Sequence, residues 1–254
     1  MSDFNPNTVN PVSAAHADMS VDVGLRAFML GVYNKLALGL VLSAGLAFLT
    51  SSYAPVRDLM FNVVTLSNGQ HAIGMTGLGE LIAFAPLLVL LGAMFVMRNP
   101  SPRASGILYW TIVSLIGASS GIWLLLKTDS AVALSFLITA SAFGALSLFG
   151  YATKRDLTGI GSFLIMGVWG LIAAMLVNMF WNPPGFSFVI SGIGVLVFAG
   201  LTAYDTQKLK MTYYALGGNQ AAMGVATNFG ALRLYLDFIN LFQFILAMTG
   251  GGRR

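Results

Sequence analysis

Residues 160–181 read IGSFLIMGVWGLIAAMLVNMFW, and none of these 22 side chains carries a charge. An α-helix rises 1.5 Å per residue, so about 20 such residues cross the roughly 30 Å of hydrocarbon in a bilayer. The run is apolar throughout, whereas the strands of a membrane barrel alternate between apolar and polar residues. This stretch therefore predicts a helix that spans a membrane.

Further apolar stretches of similar length lie on either side of it, at residues 27–50, 79–97, 106–126, 131–151, 186–204 and 231–249. Together the stretches predict an all-α, polytopic membrane protein, a bundle of seven transmembrane helices over residues 27–250. Residues 51–78 are expected to form an exposed loop, and the turn sequence Ser67-Asn68-Gly69 within it suits a hairpin. Residues 205–230 are expected to form a second long connection.

The composition excludes a soluble protein. The 254-residue chain has 57% hydrophobic and only 9% charged residues, with a mean hydropathy of +0.80, whereas a soluble domain carries about 25% charged residues. The net charge is +4, but no run of more than two basic residues occurs, so nucleic acid is not an expected partner. With no cysteine and two distant histidines, His16 and His71, zinc and thiolate sites are not expected. No tightly bound cofactor is expected either.

The distribution of basic residues predicts the orientation of the bundle. Residues 1–26 are polar and lack the features of a secretory signal, so they are expected to form a disordered cytoplasmic tail. Basic residues are more frequent on the side of this tail than on the other. The tail side carries Arg26, Arg98, Arg103, Lys154, Arg155, Lys208 and Lys210, and the opposite side carries Arg57, Lys127, Arg253 and Arg254. The positive-inside rule then places the N-terminus in the cytoplasm and the C-terminus in the periplasm. A re-entrant last segment with a cytoplasmic C-terminus is the alternative.

Ionisable residues within the apolar stretches are the candidates for function, because such residues are costly in lipid. Asp205 is expected at the cytoplasmic end of the sixth helix, and Asp237 about six residues, or roughly 9 Å, into the seventh. Arg98, which closes the second helix, lies on the same side, so all three side chains can meet. Lys35 is expected to snorkel to the interface, with a role in an ion pathway as the alternative. Asn240 is a second candidate for that pathway.

A pair formed by Asp205 and Asp237 has a definite chemistry. Two carboxylates about 4 Å apart repel by about 4 kcal/mol at an effective dielectric constant near 20. Such a pair shares one proton near neutral pH and ionises fully only beside a cation. That cation could be Arg98 or a metal that prefers oxygen ligands, such as Ca²⁺. Two carboxylates are too few for tight binding and suit a permeation site better. Alternatively, each aspartate forms only local bonds.

The motifs around the two aspartates are specific. The sequences GLTAYDTQ at residues 200–207 and LRLYLDFIN at 232–240, with VYNKLALG at 32–39, resemble the Bax inhibitor-1 (YccA-like) membrane family. The resemblance covers residues 27–249 and is closest to bacterial members of the inner membrane. It implies a seven-helix fold and a pH-sensitive calcium leak.

The resemblance also implies roles for particular residues. The aspartates of the last two helices, which match Asp205 and Asp237, form a pH sensor and a weak Ca²⁺ site. An arginine after a methionine at the end of the second helix latches that pair in the closed state, and Met97-Arg98 matches it. Leu87 lies near the position where the bacterial calcium-leak form has a glutamate, and Asn99-Pro100 replaces further basic residues.

Two other functions are weighed against the channel. Some bacterial relatives are associated with a membrane-bound ATP-dependent protease, so the chain could instead bind and regulate such a protease without transport of its own. An enzyme is not expected, because the second motif of an intramembrane aspartyl protease, Gly-x-Gly-Asp, is missing and no serine nucleophile elbow surrounds His71.

Overall fold

The computed structural model describes residues 22–65, 71–181 and 183–250. Most of the predicted tail, residues 1–21, therefore lies outside the described part. The described elements follow in the order α1 (Val23–Ser52), α2 (Ala54–Met60), β1 (Phe61–Thr65), β2 (His71–Met75), α3 (Gly77–Val96), α4 (Pro102–Ser119), α5 (Gly121–Leu126), α6 (Asp129–Ala152), α7 (Thr158–Trp181), α8 (Phe186–Ala215) and α9 (Gln220–Met248).

Seven helical segments in this part of the chain are long and apolar enough to cross a membrane, with α4 and α5 together forming one of them. The predicted all-α, seven-span architecture is therefore confirmed. The spans differ in how far they are buried inside the protein. Half of the apolar window of α9 is buried, against 11% for that of α3 and 17% for that of α7. Helix α9 thus lies at the centre of the bundle, packed against α1, α4, α6 and α8.

The prediction of a long connection over residues 205–230 is wrong. Helix α8 continues to Ala215 and α9 begins at Gln220, so four residues join them. Gly217 and Gly218 adopt left-handed backbone angles, with φ of 53° and 84°, which end a helix. The Asn219 side chain then caps α9 by accepting a hydrogen bond from the Ala222 amide at 3.1 Å. Hydropathy detects only the apolar part of each helix, and the polar turns beyond it were missed.

Helix α1 also begins earlier than predicted, within the stretch assigned to the tail. Asp22 caps it by accepting a hydrogen bond from the Leu25 amide at 2.9 Å, and the helix starts at Val23. The Tyr213 hydroxyl donates to the same carboxylate at 3.2 Å. The start of α1 therefore lies at the end of the bundle where α8 and α9 join, called here the α8–α9 end.

The exposed loop between α1 and α3 contains the predicted hairpin. Strands β1 and β2 pair antiparallel, from Phe61 opposite Met75 to Thr65 opposite His71. The turn Ser67-Asn68-Gly69 lies outside the described residues. The short helix α2 precedes the hairpin, and its last residue, Met60, is buried with Phe61.

Small residues let α1 approach its neighbours closely. A Cβ atom on Gly117 would lie 2.6 Å from the Ser43 backbone, and one on Gly121 would meet Thr50. Gly39 faces the Tyr109 hydroxyl in the same way. The spaced small residues of α1 and α4 are therefore packing positions, as in other membrane bundles.

Candidate functional site

Asp205 and Asp237 lie in the interior of the bundle, on the adjacent helices α8 and α9. Their exposed fractions are 6% and 4%, and the two carboxyl groups are close enough to interact with each other. The structure thus brings together the two aspartates that the depth argument placed at the same level. They are called here the carboxyl pair. The sequence had suggested that Asp205 lies at the end of its helix. Instead, α8 continues for ten residues beyond it, to Ala215.

Arg233 is the ion-pair partner of the carboxyl pair among the described residues, and Lys208 adds a weaker positive charge near Asp205. Arg233 Nη1 donates to Asp205 Oδ1 at 3.4 Å, and the arginine side chain is 45% exposed. Asp237 Oδ2 is buried and receives no hydrogen bond from any described residue. The pair therefore has a counter-charge on the Asp205 side, while one oxygen atom of Asp237 is left without a donor.

Arg98, the predicted latch, does not contact the carboxyl pair in this conformation. It follows the end of α3 and is exposed. Within the described ranges it forms neither a hydrogen bond nor an ion pair, and Arg233 is the ion-pair partner of Asp205. Arg233 was not predicted from the sequence as a partner of the pair. Its position four residues before Asp237, one helical turn away, is the signal that could have identified it.

The residues that flank Asp205 in the GLTAYDTQ motif hold α8 against α6 and α7. The Thr206 hydroxyl lies 3.0 Å from that of Ser147, which in turn lies 2.5 Å from the Tyr33 hydroxyl. The Gln207 amide accepts from the Leu157 amide at 2.9 Å and donates to the Arg155 carbonyl at 2.7 Å. The motif therefore fixes the position of Asp205 through the side chains beside it.

On α9, Tyr235 performs a similar positioning role for Asp237. Its hydroxyl lies 2.7 Å from that of Ser43 on α1, and the Ser43 hydroxyl also lies 3.1 Å from the Val113 carbonyl on α4. Tyr235 is fully buried. The segment of α9 that carries Asp237 is thus tied directly to α1 and, through Ser43, to α4.

The Lys35 side chain binds to a residue of α9, and its snorkelling to the interface stays a prediction. Its Nζ donates to Asn228 Oδ1 on α9 and lies 5.4 Å and 5.9 Å from the ring centroids of Tyr109 and Trp110. An amide acceptor and two aromatic faces are within reach inside the bundle, so the side chain turns inwards. Asn240, the other pathway candidate, donates to the Leu236 carbonyl of its own helix at 2.8 Å.

The chain was compared with known proteins. The family model described as "Inhibitor of apoptosis-promoting Bax1" matches residues 25–254. This chain belongs to the Bax inhibitor-1 family. A protein of Caulobacter vibrioides is 59% identical over 253 residues, covering 100% of both chains. A Rickettsia prowazekii protein is 41% identical, over 91% of this chain and 92% of its own. Inner membrane protein YbhL of Escherichia coli K12 is 37% identical, over 91% of this chain and 94% of its own.

The residues matched by the family model, 25–254, include both aspartates and Arg233. Among the described residues of this family member, no group of three or more His, Asp or Glu side chains could hold a metal ion. A tightly held divalent cation ordinarily has six or more oxygen ligands, and the carboxyl pair supplies side chains from two residues. Chemically, the pair is suited to exchange protons and to contact a cation briefly.

Proposed function

We propose that this Bax inhibitor-1 family protein is a pH-sensitive calcium leak channel of the bacterial inner membrane, gated by the Asp205–Asp237 pair. The observation that carries the proposal is the close approach of two buried carboxyl groups on the two most buried spans of the bundle. The name of the E. coli relative, an inner membrane protein, supports the location.

The contact makes the pair sensitive to protons. A hydrogen bond between two carboxyl groups needs a proton on one of them, because an ionised carboxylate is only an acceptor. Removing that proton leaves two negative charges in contact, which repel by about 4 kcal/mol at 4 Å and an effective dielectric constant of 20. The number of bound protons therefore determines the charge of the pair, and with it how strongly the pair attracts Arg233 or another cation.

Arg233 couples the charge of the pair to the conformation of α9. While Asp205 is ionised, the arginine is held at 3.4 Å. Protonation of Asp205 removes that attraction, and the half-exposed arginine side chain is then free to leave. We expect this release to open the path, so the Ca²⁺ flux rises as the pH falls. Arg98 would act as a latch only in a conformation that brings the end of α3 to the pair.

The test is Ca²⁺ flux into liposomes that carry the purified protein, measured at a series of pH values between about pH 6 and pH 8, on either side of neutral pH, where a carboxyl pair that shares one proton is expected to respond. Asp205→Asn and Asp237→Asn each remove one titrating group and are expected to abolish the pH dependence. Lys154→Gln, at an exposed position in the connection before α7, is the control and retains it.

Two outcomes would contradict the proposal. A pH response that survives both aspartate substitutions would exclude the carboxyl pair as the sensor. Flux no greater than that of empty liposomes, at every pH tested, would exclude the channel itself.

A further inference from the structure

A cavity of about 760 Å³ lies between α1, α5, α6 and α9, away from the carboxyl pair. Its floor is formed by Phe238, Ile239 and Phe242 of α9. The ring of Phe136 on α6 packs against this floor. Its centroid lies 5.6 Å from the ring centroid of Phe238 and 6.4 Å from that of Phe242. The volume is within the range of about 300–1,000 Å³ that is typical of ligand pockets. It is called here the lateral cavity.

The polar residues that line the lateral cavity lie mostly at one end, and Ser43 is the polar residue of its deeper lining. Ser51 and Ser52 close α1, Ser120 precedes α5, and Asp129 begins α6, so all four lie at helix ends. The Lys127 ammonium donates to the Gly250 carbonyl just after α9, which places this end opposite the α8–α9 end, at a membrane surface. The deeper lining is made almost entirely of aliphatic and aromatic side chains. Among the residues that the structure describes, no lysine or arginine lines the cavity.

The cavity opens sideways onto the surface that faces lipid. Phe48 on α1 and Leu137 on α6 both line it, and they are 67% and 63% exposed. Large apolar side chains with that exposure in a membrane span face hydrocarbon. A molecule entering between α1 and α6 therefore comes from the bilayer and needs an apolar body with a polar end.

We propose that the lateral cavity binds one acyl chain of a membrane phospholipid. The chain lies on the aromatic floor of α9, and the ester groups at its polar end lie beside Ser52, whose hydroxyl can donate hydrogen bonds to their carbonyl oxygens. The hydroxyls of Ser51 and Ser120 already donate to the Phe48 and Ile116 carbonyls of the protein. The affinity comes from close packing and these hydrogen bonds, because an acyl chain gains nothing from merely leaving other lipid tails. The site is independent of the proposed channel activity, although Phe238 directly follows Asp237.

Trp123 lines the lateral cavity and provides the probe. A variant that keeps Trp123 as its only tryptophan, with Trp110, Trp169 and Trp181 replaced by phenylalanine, is titrated in detergent with a phospholipid brominated on its acyl chains. The comparison variant keeps only Trp169, which is 69% exposed on α7. Quenching of Trp123 is expected to saturate, with its midpoint at a lipid mole fraction about tenfold lower than that of Trp169.

A matched pair of double variants in the Trp123-only background tests the cavity directly. Ala44→Leu with Ala133→Leu fills the cavity from its two walls and is expected to abolish the saturable quenching. Ala37→Leu with Ala145→Leu adds the same volume to the same two helices, at exposed positions that do not line the cavity. This control is expected to leave the saturable quenching unchanged. Equal quenching of Trp123 and Trp169, or saturable quenching that survives in the filled variant, would overturn the proposal.

Discussion

Asp237 is buried with one carboxyl oxygen, Oδ2, that receives no hydrogen bond from any described residue. A buried polar atom without a partner is destabilising by about 1–3 kcal/mol, so its presence at the centre of a membrane bundle indicates a role other than stability. Asp205, its partner, has the nearby Arg233 as a counter-charge. The two carboxyl groups therefore lie in different surroundings.

Replacing Arg233 distinguishes the counter-charge seen here from the latch expected from the sequence. Arg233→Gln removes the ion pair with Asp205, so we expect it to change the pH dependence of Ca²⁺ flux in liposomes. Arg98→Gln removes an exposed charge that contacts no described residue, so we expect no change. A larger effect of Arg98→Gln than of Arg233→Gln would show that a second conformation, closed by Arg98, controls the flux.

Asn228 is expected to contribute stability without taking part in the pH response. Its side chain bonds to Lys35, to the Pro102 carbonyl at 2.9 Å and to the Ser105 hydroxyl at 2.8 Å, and so joins α1, α4 and α9. Asn228→Ala should lower the free energy of unfolding in detergent by about 1–3 kcal/mol, because it leaves buried groups unpaired. Asn34→Ala, at an exposed position of α1, is the control. A pH response altered by Asn228→Ala, with stability unchanged, would contradict the structural role.

At the scale of the elements, close contact between α6 and α8 supports the carboxyl pair. A Cβ atom on Gly150 would overlap the carbonyl oxygen of Ala203, and Ala203 is two residues before Asp205. On the other side of α8, Gly161 of α7 faces the Tyr204 ring at similarly short range. The position of Asp205 therefore depends on two glycines in neighbouring helices.

Two glycines on the same helix test this contact. Gly150→Ala forces backbone atoms of α6 and α8 apart and is expected to cost about 1–3 kcal/mol of stability. Gly144→Ala meets nothing within 4 Å and is expected to be neutral or stabilising by up to about 1 kcal/mol, through helix propensity. Thermal unfolding of both variants in detergent measures the difference. Equal stability of the two variants would contradict this prediction, because it would show that α8 can move away from α6 without lowering the stability of the bundle.

At the scale of the whole molecule, the fold gathers most of the basic residues at one end of the bundle. Gln207 ties the connection that holds Lys154 and Arg155 to α8, and Lys208 and Lys210 follow on that helix. Lys127 lies at the opposite end, beside Gly250. The positive-inside rule then predicts that the α8–α9 end is cytoplasmic.

The orientation can be tested with single cysteines, because the chain contains none. Ser130→Cys and Lys154→Cys introduce thiols at exposed positions near opposite ends of α6. A membrane-impermeant maleimide added to intact spheroplasts, which expose the periplasmic face of the inner membrane, is expected to label the cysteine at position 130. The cysteine at position 154 is expected to react only after permeabilisation. The reverse pattern would show an inverted bundle.

The sequence by itself determined the class of protein, the number of spans and the two aspartates. Runs of about 20 apolar residues have few alternatives to a membrane helix, because every backbone polar group must be satisfied within the segment. The hairpin between α1 and α3 followed from a local turn signal. The helix ends at Ala215 and Gln220 were not identified, since hydropathy is blind to polar helical turns that extend beyond the apolar window.

Only the tertiary structure decided which charged side chains meet. Asp205 pairs with Arg233, and Lys35 turns inwards to Asn228, because the rotation of each helix about its axis and its distance from its neighbours place these groups within reach. Those two quantities depend on contacts between residues far apart in the sequence, such as Gly150 against Ala203 and Ser43 against Tyr235. The depth of a residue can be read along one helix, but its partner is determined by the packing of several helices together.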